Sequence, residues 1–215
     1  MPKDTRIKIC GIKTQAALQS CITYGADFIG FVFYPRSPRA IDVETLKTLS
    51  AQTPAPIQKV GLFVDADDQL IKDTAPYLDI IQLHGNETPA RCAEVKTLSG
   101  KAIMKALAIK TAHDLTQISA YEPICDWLLF DAKPSDDKTS LPGGNGLSFD
   151  WTILNDQKFT KPWMLAGGLT PKNVRTAVNS LHPDAVDVSS GVEALVGEKD
   201  DQKIAAFIAA AKAQN

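Results

Sequence analysis

The 215-residue chain is 44% hydrophobic and 22% charged with a formal net charge of −2, ordinary for a globular protein with a well-buried core. That charge and the absence of a Lys/Arg-rich run argue against a nucleic-acid surface. No apolar segment approaches the roughly 20 residues that span a bilayer, and the N-terminus lacks a signal-peptide core, so the expected compartment is the cytoplasm. Cys10, Cys21, Cys92 and Cys125 are scattered, with no C-x-x-C and no paired histidine spacing. They read as four reduced thiols, with neither a metal site nor a disulfide framework.

In chain order, strand-like and helical runs alternate. "RIKIC" precedes "TQAALQSCITYG", where Ala17, Leu18, Cys21 and Ile22 fall at helical spacing and Gly25 ends the run. "DFIGFVF" precedes "DVETLKTLSAQ", with Asp42 as N-cap, and "QKVGLFV" precedes "DDQLIKDTAPYL". "DIIQLHG" leads to "TPARCAEVKTLSG", where Thr88 caps and Pro89 opens the helix. "KAIMKAL" leads to "TAHDLTQISAY", and "DWLLFD" leads, past a longer loop, to a short helical stretch near "DWTILND". "PWMLAGG" leads to "TPKNVRTAVNSL", predicted to start on Thr170 and Pro171, and "DAVDVSSG" leads to a final helix near "DQKIAAFIAAAKA". Eight strand–helix units without a linker, with strands apolar on both faces, predict one α/β domain over 1–215, a (β/α)8 TIM barrel.

In such a barrel the chemistry gathers at the C-terminal strand ends. Those ends carry Cys10-Gly11, "YPRSPR", Asp65, His84-Gly85, Ala106-Leu107, Asp131, Gly167-Gly168 and Ser189-Ser190-Gly191. Three late segments are rich in glycine and serine: "LPGGNG" with Gly143, Gly144 and Gly146, then Gly167-Gly168, then Ser189 to Gly191. Glycine lets backbone N–H groups converge on an anion, so these loops are read as a phosphate site rather than as simple turns. Cys10 and Asp131 pair a thiol able to act as a base with a carboxylic acid able to donate a proton. Nearby positive charge would lower the thiol pKa from about 8.5. Apolar neighbours such as Trp127 or Leu129 would be needed to keep Asp131 protonated. The blander alternatives are a small buried hydrophobe for Cys10 and a loop cap or Lys133 partner for Asp131.

Arg36 and Arg39 lie in a proline-stiffened loop that is either a solvated patch or a bidentate carboxylate clamp. His84 is a further polar candidate, with a structural bond to a carbonyl as the competing reading. His113 and His182 read as surface residues. Strand parity sends Lys8 inward below Cys10, and Asp187 lies on the neighbouring strand once the barrel closes, which predicts a buried Lys8–Asp187 ion pair.

"KICGI", "GADFIGFVFYPRSPR", "VGLFV", "IIQLHG", "LLFDAK", "GGNGLSFDW", "LAGGLTPKNV" and "DVSSGVE" resemble, in order and over nearly the whole chain, the motifs of the phosphoribosylanthranilate isomerase family. The resemblance implies a cofactor-free Amadori rearrangement of N-(5-phosphoribosyl)anthranilate in tryptophan biosynthesis. It matches Cys10 to the general base, Asp131 to the general acid and Arg39 to the arginine that meets the anthranilate carboxylate. It likewise matches the glycine-rich loops to the phosphate site. Asn145 and Leu147 depart from the family's usual residues, which touches only side-chain roles there. The expected partner is a small phosphorylated sugar-anthranilate, with no nucleic acid and no membrane, and the oligomeric state stays open between monomer and homodimer. A sugar-phosphate isomerase of histidine synthesis is the nearest rival, but such enzymes generally use two aspartates. A non-catalytic phosphometabolite binder would have no use for the Cys10/Asp131 pair.

Overall fold

Side chains alternate along a strand, so each apolar run offers one set of residues to the barrel axis and the other to the helices. In the computed structural model, which describes residues 4–133, 150–155 and 157–213, all eight runs form strands. They are β1 (Arg6–Cys10), β2 (Phe28–Val32), β3 (Gln58–Phe63), β4 (Ile80–Leu83), β5 (Ala102–Ile109), β6 (Trp127–Ala132), β7 (Trp163–Leu165) and β8 (Ala185–Val188). Neighbours pair in parallel in chain order, and β8 closes on β1. Around them lie α1 (Gln15–Tyr24), α2 (Val43–Ala51), α3 (Asp68–Thr74), α4 (Pro89–Ser99), α5 (Ile118–Tyr121), α6 (Val174–Leu181) and α7 (Asp201–Lys212). After β6 the described residues hold a 3-10 turn, Trp151–Leu154. No helix among them is long and apolar enough to cross a membrane.

The core divides as alternation requires. Phe28, Val60, Ile80, Met104, Trp127, Leu129 and Met164 fill the barrel interior. Ile7, Ile9, Ile29, Phe31, Leu128 and Phe130 face the helices. Arg6 closes the bottom, its guanidinium carbon 4.4 Å from the Trp127 ring centre and 5.1 Å from that of Phe28.

A repeated device ties the N-terminal rim. Asp27, Asp79, Asp126 and Asp184 each stand one residue before an even-numbered strand. Each carboxylate accepts a backbone N–H from the preceding odd strand, from Ile7, Lys59, Ile103 and Trp163 respectively, at 2.8–2.9 Å. A parallel strand leaves some of its first N–H groups without a ladder partner, and the aspartates satisfy them.

Asp42 and Thr88 cap α2 and α4 as expected, accepting from Thr45 and Arg91. Two local expectations need correction. The helix after β7 starts at Val174, not at Thr170-Pro171. The Asn173 side chain bonds the Thr170 N–H and the Gly168 carbonyl, closing a separate turn first. Between β8 and α7, a hairpin of β9 (Glu193–Leu195) and β10 (Glu198–Lys199) appears where only a loop was read.

Candidate active site

Cys10 ends β1, faces the barrel mouth and is 3% exposed. Its register partner is Gly30, where a Cβ would stand 2.7 Å from the Cys10 sulfur. The glycine therefore makes the seat of the thiol. Gly11, which follows the cysteine, adopts φ +81°, and a Cβ on it would lie 2.8 Å from the Arg39 side chain. That dipeptide needs its glycine for both conformation and space.

Beneath Cys10, Lys8 is fully buried and donates to Asp187 Oδ1 at 3.0 Å, through the register that pairs Lys8 with Asp187. The predicted ion pair is present. Burial opposes the Lys8 charge, but Asp187 and Cys10 outweigh it and raise the lysine pKa. The sequence left the direction of the thiol's shift open. Burial pushes the Cys10 pKa up, with Asp187 adding to it, and the nearby charges of Lys8 and Lys199 only partly offset this. Desolvation of the sulfur exceeds the attraction of the two cations, which favours the neutral thiol.

Asp131 lies at the C-terminal end of β6 and is 8% exposed. Its Oδ1 accepts from the Ala132 N–H at 2.8 Å, and Oδ2 is 3.3 Å from His84 Nε2. His84 comes from the end of β4, two strands away, and the intervening β5 presents Ala106 and Ala108, small enough for the two side chains to meet. Gln82 Nε2 lies 2.9 Å from His84 Nδ1. With Gln82 donating to Nδ1, the proton of the neutral ring sits on Nε2, the nitrogen that faces Asp131. The carbonyl partner anticipated for His84 is thus replaced by a carboxylate. Lys133 bridges to Asp114 at 3.6 Å instead of to Asp131. Trp127 sits four residues below Asp131, roughly 13 Å along the strand, stacked on Arg6, so it cannot be the apolar neighbour proposed for the acid.

A charged network covers the rim beside Cys10. Arg39, 5% exposed, donates from Nε and Nη2 to the two oxygens of Glu193 at 2.7 and 2.9 Å. Lys199 donates to Glu193 at 2.8 Å and to the Ser189 carbonyl at 2.9 Å, while the Ser189 hydroxyl donates to the Cys10 carbonyl at 3.2 Å. Burial alone would raise the Glu193 pKa, but the Arg39 and Lys199 bonds prevail and lower it to about 2. Burial likewise lowers that of Lys199, with Glu193 opposing. Farther round the rim, buried Lys105 donates to Glu87 at 2.8 Å and to the Gly85 carbonyl at 2.7 Å. Glu87 in turn accepts from the N–H groups of Asp65 and Gly85, which fixes the loop next to His84.

Gly167 follows β7 with φ +83°, and a Cβ there would come 3.1 Å from Asp131 Oδ1 and 2.7 Å from the Ala132 nitrogen. Gly191 packs on the Leu169 carbonyl without room for a side chain. The segments around Gly167-Gly168 and Ser189-Ser190-Gly191 therefore lie against each other, beside both Asp131 and Cys10. Gly143, Gly144 and Gly146 lie outside the described residues.

A family model described as N-(5'phosphoribosyl)anthranilate (PRA) isomerase matches residues 7–210. The chain belongs to that family. It is 48% identical over 209 residues to the N-(5'-phosphoribosyl)anthranilate isomerase of Paracoccus denitrificans, covering 96% of this chain and 97% of the relative. The crystal structure of phosphoribosyl anthranilate isomerase from Thermotoga maritima is similar, with a TM-score of 0.87, 36% identity and 97% and 98% of the two chains covered. So is a phosphoribosyl anthranilate isomerase solved with reduced 1-(o-carboxyphenylamino)-1-deoxyribulose 5-phosphate, at a TM-score of 0.84, 35% identity and the same coverage. The TIM-barrel expectation holds.

Of the site residues read from sequence, Cys10, Arg39, His84, Asp131, Gly167, Gly168, Ser189, Ser190 and Gly191 all converge on one rim. Sequence reasoning missed Glu193, Lys199 and Gly30. Glu193 and Lys199 sit in the unforeseen hairpin, and their only signal was a pair of opposite charges six residues apart. Gly30 was legible only as an interruption in an apolar run.

Proposed function

We propose that this chain converts N-(5'-phosphoribosyl)anthranilate to 1-(2-carboxyphenylamino)-1-deoxyribulose 5-phosphate in tryptophan biosynthesis, with Cys10 as general base and Asp131 as general acid. The observation that carries this reading is the placement of a thiol and a carboxyl group at the same mouth of a barrel of this family. A related isomerase solved with a reduced form of that product supports the substrate class.

Asp131 gives its proton to the ribose ring oxygen, and the ring opens to a Schiff base. The cationic imine acidifies the proton on C2, which the ionised sulfur of Cys10 removes. In the resulting enolamine the O2 proton passes to Asp131 and the proton held by Cys10 is delivered to C1, giving the ketose. That tautomerisation returns Asp131 and Cys10 to their starting states, so the cycle needs no cofactor. His84, with Nε2 3.3 Å from Asp131 Oδ2, fixes the orientation of its carboxyl group. Arg39, braced by Glu193, meets the anthranilate carboxylate. The close-packed backbone at Gly167-Gly168 and Ser189 to Gly191 receives the phosphate, joined by Gly143, Gly144 and Gly146.

The test is turnover, followed as loss of phosphoribosylanthranilate fluorescence. Cys10→Ala and Asp131→Asn should each lower kcat by about 10²- to 10⁴-fold while the circular dichroism spectrum is kept. Wild-type rates from either variant would remove that residue from the mechanism.

A further inference from the structure

Lys8 takes no part in the steps above, and a barrel core does not require a lysine. A fully buried ammonium is unfavourable unless it is paired, and an apolar pair of similar volume commonly serves stability as well or better. Its location is specific. Lys8 precedes Cys10 by two residues on the same face of β1, so its side chain lies directly under the thiol. Asp187 on β8 accepts from Lys8 at 3.0 Å, and the ammonium lies near enough to the Cys10 sulfur for its charge to act on it. Burial disfavours the thiolate that a base must become, so the site needs a fixed positive charge that gains attraction as the proton leaves. Three charged groups face the sulfur: Lys8 from β1, Asp187 from β8 and Lys199 from β10. Lys199 is already drawn to Glu193 at 2.8 Å.

We propose that Lys8 is a positioning residue for the rearrangement: its ammonium, oriented by Asp187, stands beneath Cys10 and holds the sulfur in place as a thiolate during proton removal. The inference rests on Cys10 being the base. Lys8 keeps all its protons throughout. When the sulfur takes the proton from C2 it becomes a neutral thiol, the ion–ion attraction to Lys8 is lost, and Lys8 relaxes onto Asp187.

Lys8→Met alone strands a buried Asp187, so the informative variant is Lys8→Met/Asp187→Asn, which removes both charges. Two readouts are compared with wild type once folding is verified by circular dichroism. One is the pH dependence of Cys10 alkylation by iodoacetamide, followed by mass spectrometry. The other is the pH profile of kcat/KM. The paired variant should need a pH at least one unit higher for half-maximal alkylation. It should lose about tenfold or more in kcat/KM at neutral pH, since a tenfold smaller thiolate fraction accompanies each such unit, and the loss should shrink in alkaline solution. Asp187→Asn alone leaves Lys8 uncompensated and should move the alkylation midpoint the other way, to lower pH. A folded paired variant with wild-type profiles overturns the proposal, as does an Asp187→Asn midpoint that stays put or rises. Full activity in Cys10→Ala would instead overturn the assignment of the base, so the two failures are distinguishable.

Discussion

Replacing Glu193 by glutamine removes a carboxylate that accepts two bonds from Arg39, one from Lys199 and one from the Gly197 N–H. Its carboxyl group is held at about 2 against an ordinary 4.5. At about 1.36 kcal/mol per pH unit, that depression is worth at most about 3.4 kcal/mol, somewhat less where solvent screens the rim. A pKa lowered by folding contributes fully above the unfolded value and is lost as pH falls through the folded one. The wild-type contribution from this group should therefore be intact at pH 7, shrink by about 2 kcal/mol near pH 3, and vanish below about pH 2. Glu193→Gln lacks that dependence. Urea unfolding of both proteins at pH 7, 5, 4 and 3 measures it: the variant should be less stable by about 2–3 kcal/mol at pH 7, and the gap should narrow as the solution is acidified. A constant gap across this range would refute the idea that ionised Glu193 anchors the two cations.

Lys105→Met leaves Glu87 buried without its cation, although Glu87 keeps the N–H groups of Asp65 and Gly85. A loss of about 3–5 kcal/mol is expected in urea unfolding, and Lys105→Met/Glu87→Leu should recover part of it; no recovery would mean that backbone bonds, not the charge pair, hold the loop. Gly30→Ala places a methyl group 2.7 Å from the Cys10 sulfur. The thiol must move, and a displacement near 1 Å should lower kcat/KM by about 10²-fold with the circular dichroism spectrum unchanged. Unaltered kinetics in Gly30→Ala would show that the sulfur has room the structure does not indicate.

The chain order of the eight strands, the inner and outer faces, and the rim that carries Cys10 and Asp131 were legible because they depend on local rules. Period-two alternation, caps such as Asp42 and Thr88, and the direction of parallel strands all operate over a few residues. The Lys8–Asp187 pair was legible for the same reason, since parity fixes Lys8 and closure of the barrel brings β8 beside β1. The hairpin after β8 was not legible. Its strands are two or three residues long, with exposed Leu195 ending the first and exposed Val196 in the turn, and such segments carry no period.

What the sequence determined alone was which side chains enter the barrel and at which end, a consequence of backbone geometry repeated strand by strand. What only the tertiary structure decided was the electrostatic state of those side chains. The Cys10 thiol is raised despite two lysines, Arg39 is clamped by Glu193, and His84 faces Asp131 across two alanines. Charge–charge attraction and desolvation depend on distances between segments far apart in the chain and on how much water remains between them, and both are fixed only when the barrel closes.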